Sequence, residues 1–155
     1  MKSKIKYILI VALIYWIFKR MNDKVKILDI QELRSDKYGH GHFGASRGRR
    51  LHQGIDLLVS KGDPVYAPIS GILNFSIPYG SDTRWQGFKI INDSKEQWKV
   101  FYCSPIVKNG VYVNKGDVVA YAQSINDKYG EGMLDHLHVE LRKNGVLMNP
   151  QKYLL

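Results

Sequence analysis

From residue 36 onward, no segment of this 155-residue chain keeps the apolar spacing of an amphipathic helix. Short apolar or alternating runs take its place, closed off at close intervals by polar turns. Val65-Tyr66-Ala67-Pro68 followed by Gly71-Ile72-Leu73-Asn74-Phe75 reads as strand, bend, strand. Gly87 to Ile91 and Gln97 to Tyr102 flank the polar turn Asn92 to Glu96 and read as a hairpin. Val111-Tyr112-Val113 and Val118 to Tyr121 form a further pair around Lys115-Gly116-Asp117, and Leu137 to Leu141 is a strand leading into an Asn144-Gly145 turn. This pattern predicts an all-β, antiparallel domain. The length fits one such domain plus a short appendage.

Upstream of it, Tyr7 to Phe18 is an unbroken apolar run of 12 residues between Lys2, Lys4, Lys6 and Lys19, Arg20. As a helix it covers about 18 Å, short of the roughly 30 Å of a bilayer core. The length suits a signal-peptide core, yet no small-residue cleavage site follows. With Ile5 counted and the flanking lysines snorkelling, residues 5–18 are expected to hold the chain at a membrane through a short hydrophobic helix. The expected organisation is therefore an anchor or signal-anchor over residues 1–21, a linker and first strand over 22–35, and a domain over 36–155. Val25, Ile27 and Leu28 are the apolar residues of that first strand. Asp36 to Gly48 reads as a loop in which His40 and His42 face solvent. The domain is expected outside the cytoplasm, tethered to the membrane, or secreted if the segment is cleaved.

Charge supports a membrane over nucleic acid. The first 50 residues carry 12 Lys/Arg against 4 Asp/Glu, whereas the remaining 105 carry 11 against 10. The excess thus belongs to the tail and to Arg47, Arg49 and Arg50, which favours an anionic surface or an acidic polymer. No nucleic-acid recognition motif accompanies it. Cys103 is the single cysteine, which excludes an internal disulfide framework and a cysteine-rich zinc site.

Two even-spaced pairs carry the chemistry. In Arg50-Leu51-His52-Gln53-Gly54-Ile55-Asp56 the glycine and the β-branched isoleucine disfavour a helical turn, so the stretch is extended or bent. On extended chain His52 and Asp56 can share a face, as can His136 and His138 downstream. Any three of these four groups that include Asp56 supply two imidazoles and a carboxylate, a set that suits Zn²⁺ with one position open for water.

The order His52-x-x-x-Asp56, Val65-Tyr66-Ala67-Pro68-x-x-Gly71, Lys115-Gly116-Asp117 and His136-Leu137-His138-Val139-Glu140 resembles the lysostaphin-type (LytM-like) zinc endopeptidases over residues 36–153. Gly39-x-Gly41, Arg47 and Arg50 before His52-Gln53-Gly54, Pro105-Ile106, and Tyr129 place it nearest in layout to the leukocyte cell-derived chemotaxin-2 branch. The resemblance implies a compact, barrel-sandwich-type antiparallel fold with a groove, and Zn²⁺ held by His52, Asp56 and His138. It implies that His136 is the general base, or orienter, for the zinc-bound water, and that the substrate is a peptide cross-link of bacterial peptidoglycan. A monomer is expected.

One departure counts against catalysis. Active peptidases of this type carry a further histidine between the two motifs, and none lies between Asp56 and His136 here. The equivalent stretch is Val100-Phe101-Tyr102-Cys103-Ser104-Pro105, in which Tyr102, or more weakly Cys103, could donate a hydrogen bond instead; ordinary strand packing is the competing reading. The chemotaxin-like branch, considered non-enzymatic, also lacks that histidine, although this chain lacks the branch's disulfide cysteines. The alternative function is therefore a zinc-stabilised module that binds cell wall or a protein without cleaving it. Val65 to Gly71 and Val113 to Val119 also resemble biotinyl and lipoyl carrier repeats, but the lysine-bearing acceptor turn is missing.

Overall fold

The structure, a computed structural model, describes every residue except Met1, Asp23, Glu131 and Leu155, and all side chains but these and those of residues 2–5, 17–22 and 127. In chain order its elements are α1 (Lys2–Asn22), β1 (Ser35–Asp36), β2 (Gly39–His40), β3 (Ser46–Arg47), β4 (Arg50–Leu51), β5 (Ile55–Leu58), β6 (Pro64–Tyr66) and β7 (Gly71–Ser76). There follow β8 (Gly87–Ile91), β9 (Glu96–Phe101), β10 (Cys103–Pro105), β11 (Val111–Val113), β12 (Val118–Ala122), α2 (Asn126–Tyr129), β13 (His136–Lys143), β14 (Val146–Met148) and a 3₁₀ turn (Pro150–Tyr153). The domain is all-β and its pairings within sheets are antiparallel, as expected.

The large sheet runs β11-β7-β8-β9-β13-β14, and β5 joins it by pairing with the first half of β13. A smaller sheet runs β10-β12-β6. Alternation along β13 decides what each face carries. Leu137, Val139 and Leu141 are fully buried, whereas His136, His138 and Glu140 occupy the opposite face. Leu57, Leu73, Phe88, Trp98 and Val100 of the large sheet pack with Val65, Val119 and Ala120 of the smaller one into a single core. The site therefore lies on the outer face of a sheet whose inner face is locked by that core.

Tyr102 marks the passage between the sheets. Its φ of 69° is left-handed, rare for a non-glycine residue, and the Tyr102 and Cys103 amides both donate to the Gln86 carbonyl. This bulge ends β9, starts β10 in the other sheet, and turns the Tyr102 ring toward the β13 histidines.

Two expectations change in detail. Residues 24–34 form no regular strand; Val25 and Leu33 make only isolated bridges, to Leu154 and Leu57. Val25, Ile27 and Leu28 are nevertheless buried, because the irregular chain lays them into the core. The stretch read as a loop, Asp36 to Gly48, contains the β1–β2 ladder and half of the β3–β4 ladder. The Asn144-Gly145 turn is present, both residues at positive φ as a two-residue hairpin requires.

The helix α1 is 21 residues long, and every described side chain from Lys6 to Trp16 is exposed. Among the described residues, no helix is long and apolar enough to cross a membrane. Val25, Ile27 and Leu28, by contrast, belong to the core. A chain starting at residue 22 should therefore keep the thermal midpoint of the full chain. One starting at residue 35 loses Val25, Ile27 and Leu28, each worth about 1.5–3 kcal/mol when buried, and should fail to fold. Thermal melts of the two truncations check this; a lowered midpoint for the first would mean that α1 packs on the domain.

Candidate metal centre

Three atoms converge on the outer face of the large sheet. His138 on β13 stands directly opposite Asp56 on β5 in the antiparallel register, which puts their side chains next to each other. His52 is brought over them by the Gln53-Gly54 bend. His52 Nε2 lies 3.0 Å from His138 Nδ1 and 3.1 Å from Asp56 Oδ1, and His138 Nδ1 lies 3.0 Å from Asp56 Oδ1. Gly54 makes this possible: a Cβ there would sit 2.3 Å from the Val139 carbonyl and 2.9 Å from the His138 ring. Any larger residue would push the strands and the imidazole apart.

Each ring is held by its other nitrogen. His52 Nδ1 donates to the His42 carbonyl at 3.0 Å, and His138 Nε2 faces the Glu140 carboxylate at 3.4 Å. Lys99 donates in turn to Glu140 at 3.0 Å. With those protons placed, His52 Nε2, His138 Nδ1 and Asp56 Oδ1 all direct lone pairs at one point. Three acceptors at such distances repel unless a cation sits among them, and at bonds of about 2.0–2.1 Å a tetrahedral ion would span edges of roughly 3.3 Å. The donor set thus fits a divalent metal with one position left open. The carboxylate–histidine contact at Glu140 is the usual outer support of such a ligand.

Asp56 is the most constrained member. Its Oδ2 accepts from Arg47 at 2.8 Å and from the buried Arg34 at 3.1 Å, leaving Oδ1 for the metal position. Its main chain is locked as well: Arg34 N donates to the Asp56 carbonyl, Asp56 N to Gly41, and Gly41 N to Arg34. Gly41 is needed there, since a Cβ would meet the Asp56 and Arg34 carbonyls at 2.7 and 2.9 Å. Burial works to raise the Asp56 pKa, but in the metal-free chain, where a proton on His138 Nδ1 or His52 Nε2 takes the place of the cation and is donated to Oδ1, these contacts hold it well below the usual carboxylate range.

His136 stands beside the triad. Its Nδ1 donates to the Leu134 carbonyl at 2.8 Å, and its Nε2 is 3.9 Å from Asp56 Oδ1. Burial lowers its pKa despite the Asp56 charge, so the ring is neutral with a free lone pair at Nε2. The Tyr102 ring packs edge-on against His136 at 5.4 Å, and its hydroxyl is 2.6 Å from that of Tyr79, which also bonds Tyr129. Burial raises the Tyr102 pKa, so the phenol stays protonated and able to donate. Phe101 stacks on His138 at 6.2 Å. The whole arrangement lines a groove of about 440 Å³.

All four residues singled out by spacing are together here, with Tyr102 beside them. His40 and His42 are exposed, and neither ring joins the triad; His42 contributes only its carbonyl. For Cys103 the packing reading holds: its thiol is fully buried in the main core on the far side of the bulge, so the weaker expectation of a donor into the groove falls. Arg34, Tyr79 and the lysine behind Glu140 were not foreseen. The even spacing of His136, His138 and Glu140 was the one signal that could have found Glu140, since it puts all three on one face.

This geometry predicts one divalent metal per chain, lost in His52→Ala and in Asp56→Ala and retained in His42→Ala. Asp56→Ala additionally removes one of the two carboxylates that buried Arg34 bonds, leaving Asp36, and should cost about 1–3 kcal/mol. Elemental analysis with thermal melts, before and after chelation, checks both points. Equal metal in wild type and His52→Ala would contradict the assignment.

The sequence profile of Peptidase family M23 matches residues 50–150. Leukocyte cell-derived chemotaxin-2 of Bos taurus is 34% identical over 125 residues, covering 79% of this chain and 80% of that protein. An uncharacterized metalloprotease of Haemophilus influenzae is 30% identical over 103 residues, covering 65% of this chain and 20% of its own length. Among solved structures, the antimicrobial peptidase lysostaphin from Staphylococcus simulans superposes with a TM-score of 0.61 at 20% identity, over 85% of this chain and 54% of that one. The catalytic domain of a prophage-encoded M23 protein from Enterococcus faecalis gives 0.54 at 26% identity, over 85% and 98% of the two chains. With the profile covering more than half of its residues, the chain belongs to peptidase family M23.

Proposed function

We propose that this protein is a zinc-dependent endopeptidase acting on the peptide cross-links of peptidoglycan. The observation that carries the reading is the placement of His136, which lines the groove beside three converging ligand atoms without being one of them, its Nδ1 bonded to the Leu134 carbonyl and its Nε2 3.9 Å from Asp56 Oδ1. Two imidazoles and one carboxylate favour zinc, which when bound supplies an activated water and polarises the scissile carbonyl. His136 accepts the proton of the attacking water at Nε2 and delivers it to the leaving amine as the C–N bond breaks. The Leu134 carbonyl holds His136 in the required tautomer. Phe101 provides a flat floor for the peptide. Tyr102 takes the place of the missing histidine as donor to the developing oxyanion, with Tyr79 keeping its hydroxyl in place.

A second reading has its own support: with a tyrosine where peptidases carry a histidine, the same metal would only stabilise a module that binds wall peptides or a protein. The two readings separate on a defined glycine-rich cross-link peptide. In the first, His136→Ala keeps the metal and loses about 10²-fold or more in turnover. Tyr102→His, tested beside Tyr102→Phe, should raise cleavage at unchanged metal content. No cleavage by wild type or Tyr102→His across varied cross-link peptides would favour the binding module.

We also read residues 5–18 as holding the domain at a membrane, outside the cytoplasm. The support is the exposed apolar surface of α1, where Tyr7 to Val11 are all more than half exposed. Fractionation of the full chain against the chain from residue 22 tests it.

A further inference from the structure

The charged groups lining the groove do not balance. Arg34, Arg47 and Arg50 face Asp56 and Glu140. Four of these five are already paired: Arg34 with Asp36 and Asp56, Arg47 with Asp56, and Glu140 with Lys99 and His138. Arg50 alone has no hydrogen-bond or ion-pair partner among the described residues. Of the described residues, Arg50 is thus the one cation lining the groove whose charge no carboxylate of the groove offsets.

The position of Arg50 is set by the fold. It stands directly opposite Arg47 in the β3–β4 ladder, so both side chains leave the hairpin on the same face. Like charges directly across a ladder repel. Arg47 escapes the conflict by reaching Asp56 and the His40 carbonyl, whereas Arg50 is left at the rim, two residues before a metal ligand. A guanidinium held this way presents a planar fork of donors that matches a carboxylate.

We propose that Arg50 is a specificity-determining residue: it reads a carboxylate on the bound peptide, through a forked pair at the groove mouth. The substrate class is thus an anionic peptide rather than a neutral one. The proposal rests on the groove being the peptide site, not on cleavage occurring there.

The test measures binding of three peptides to the zinc-loaded full chain in competition format. These are pentaglycine amide, pentaglycine with a free terminal carboxylate, and the amide in which the central glycine is aspartate. Wild type should bind at least one charged peptide roughly tenfold more tightly than the neutral amide. The tighter of the two tells whether a terminal or a side-chain carboxylate is read. Arg50→Gln should lose that preference, and Arg50→Lys should keep part of it, while metal content and melting midpoint stay unchanged because the Arg50 side chain makes no hydrogen bond or ion pair within the fold. Absence of a preference in wild type overturns the proposal. So does a full preference in Arg50→Gln, which would assign the carboxylate to the metal. Failure of the peptidase reading looks different: the preference would persist with no peptide cleaved.

Discussion

Everything at the site depends on one buried carboxylate with two different jobs. Asp56 gives Oδ1 to the metal position and Oδ2 to Arg34 and Arg47. A carboxylate this deep would be protonated if left alone, and an arginine as buried as Arg34 would be costly without its partner. Arg34 divides its guanidinium between Asp56 and Asp36, and the backbone ring through Arg34, Gly41 and Asp56 fixes where the first pair meets. The clamp also leaves Asp56 a single free oxygen, so with His52 and His138 it would offer a metal three ligand atoms. Segments far apart in sequence, the approach to β1, the bend before β5 and the start of β13, are tied together at this point.

The second constraint is the switch between sheets. Because β9 belongs to the large sheet and β10 to the smaller one, the chain must turn at Tyr102, and it does so in a left-handed backbone that few residues accept readily. That turn brings residue 102 against His136 and buries Cys103 on the other side. Residue 102 is thus kept in the groove as a phenol bonded to Tyr79, which in turn bonds Tyr129. Whether the phenol suffices for the oxyanion is the question on which peptidase and binding module differ.

The parts of this arrangement legible in the sequence are those set by periodicity. Even spacing on extended chain placed His136 and His138 on one face, and the same rule holds for Glu140. The hairpin over Gly87–Phe101 and the Asn144-Gly145 turn were readable from turn chemistry. What could not be read depends on contacts distant along the chain. Arg34 lies 22 residues from Asp56, and nothing local marks it as a partner. The burial of Val25, Ile27 and Leu28 in an irregular segment gives the same apolar signal as a strand, so periodicity alone mistook one for the other. For Cys103 the sequence left groove and core both open, and it is the bulge before it that sends the thiol into the core.

The most direct measurement of the central claim is a digestion of purified peptidoglycan by the metal-free and the zinc-reconstituted protein, read out as new amino termini. New termini should appear with zinc, disappear on chelation and return on re-addition. Full metal occupancy, with the three ligands confirmed and no new termini released from any wall type, would contradict the account and leave a zinc-stabilised binding module in its place.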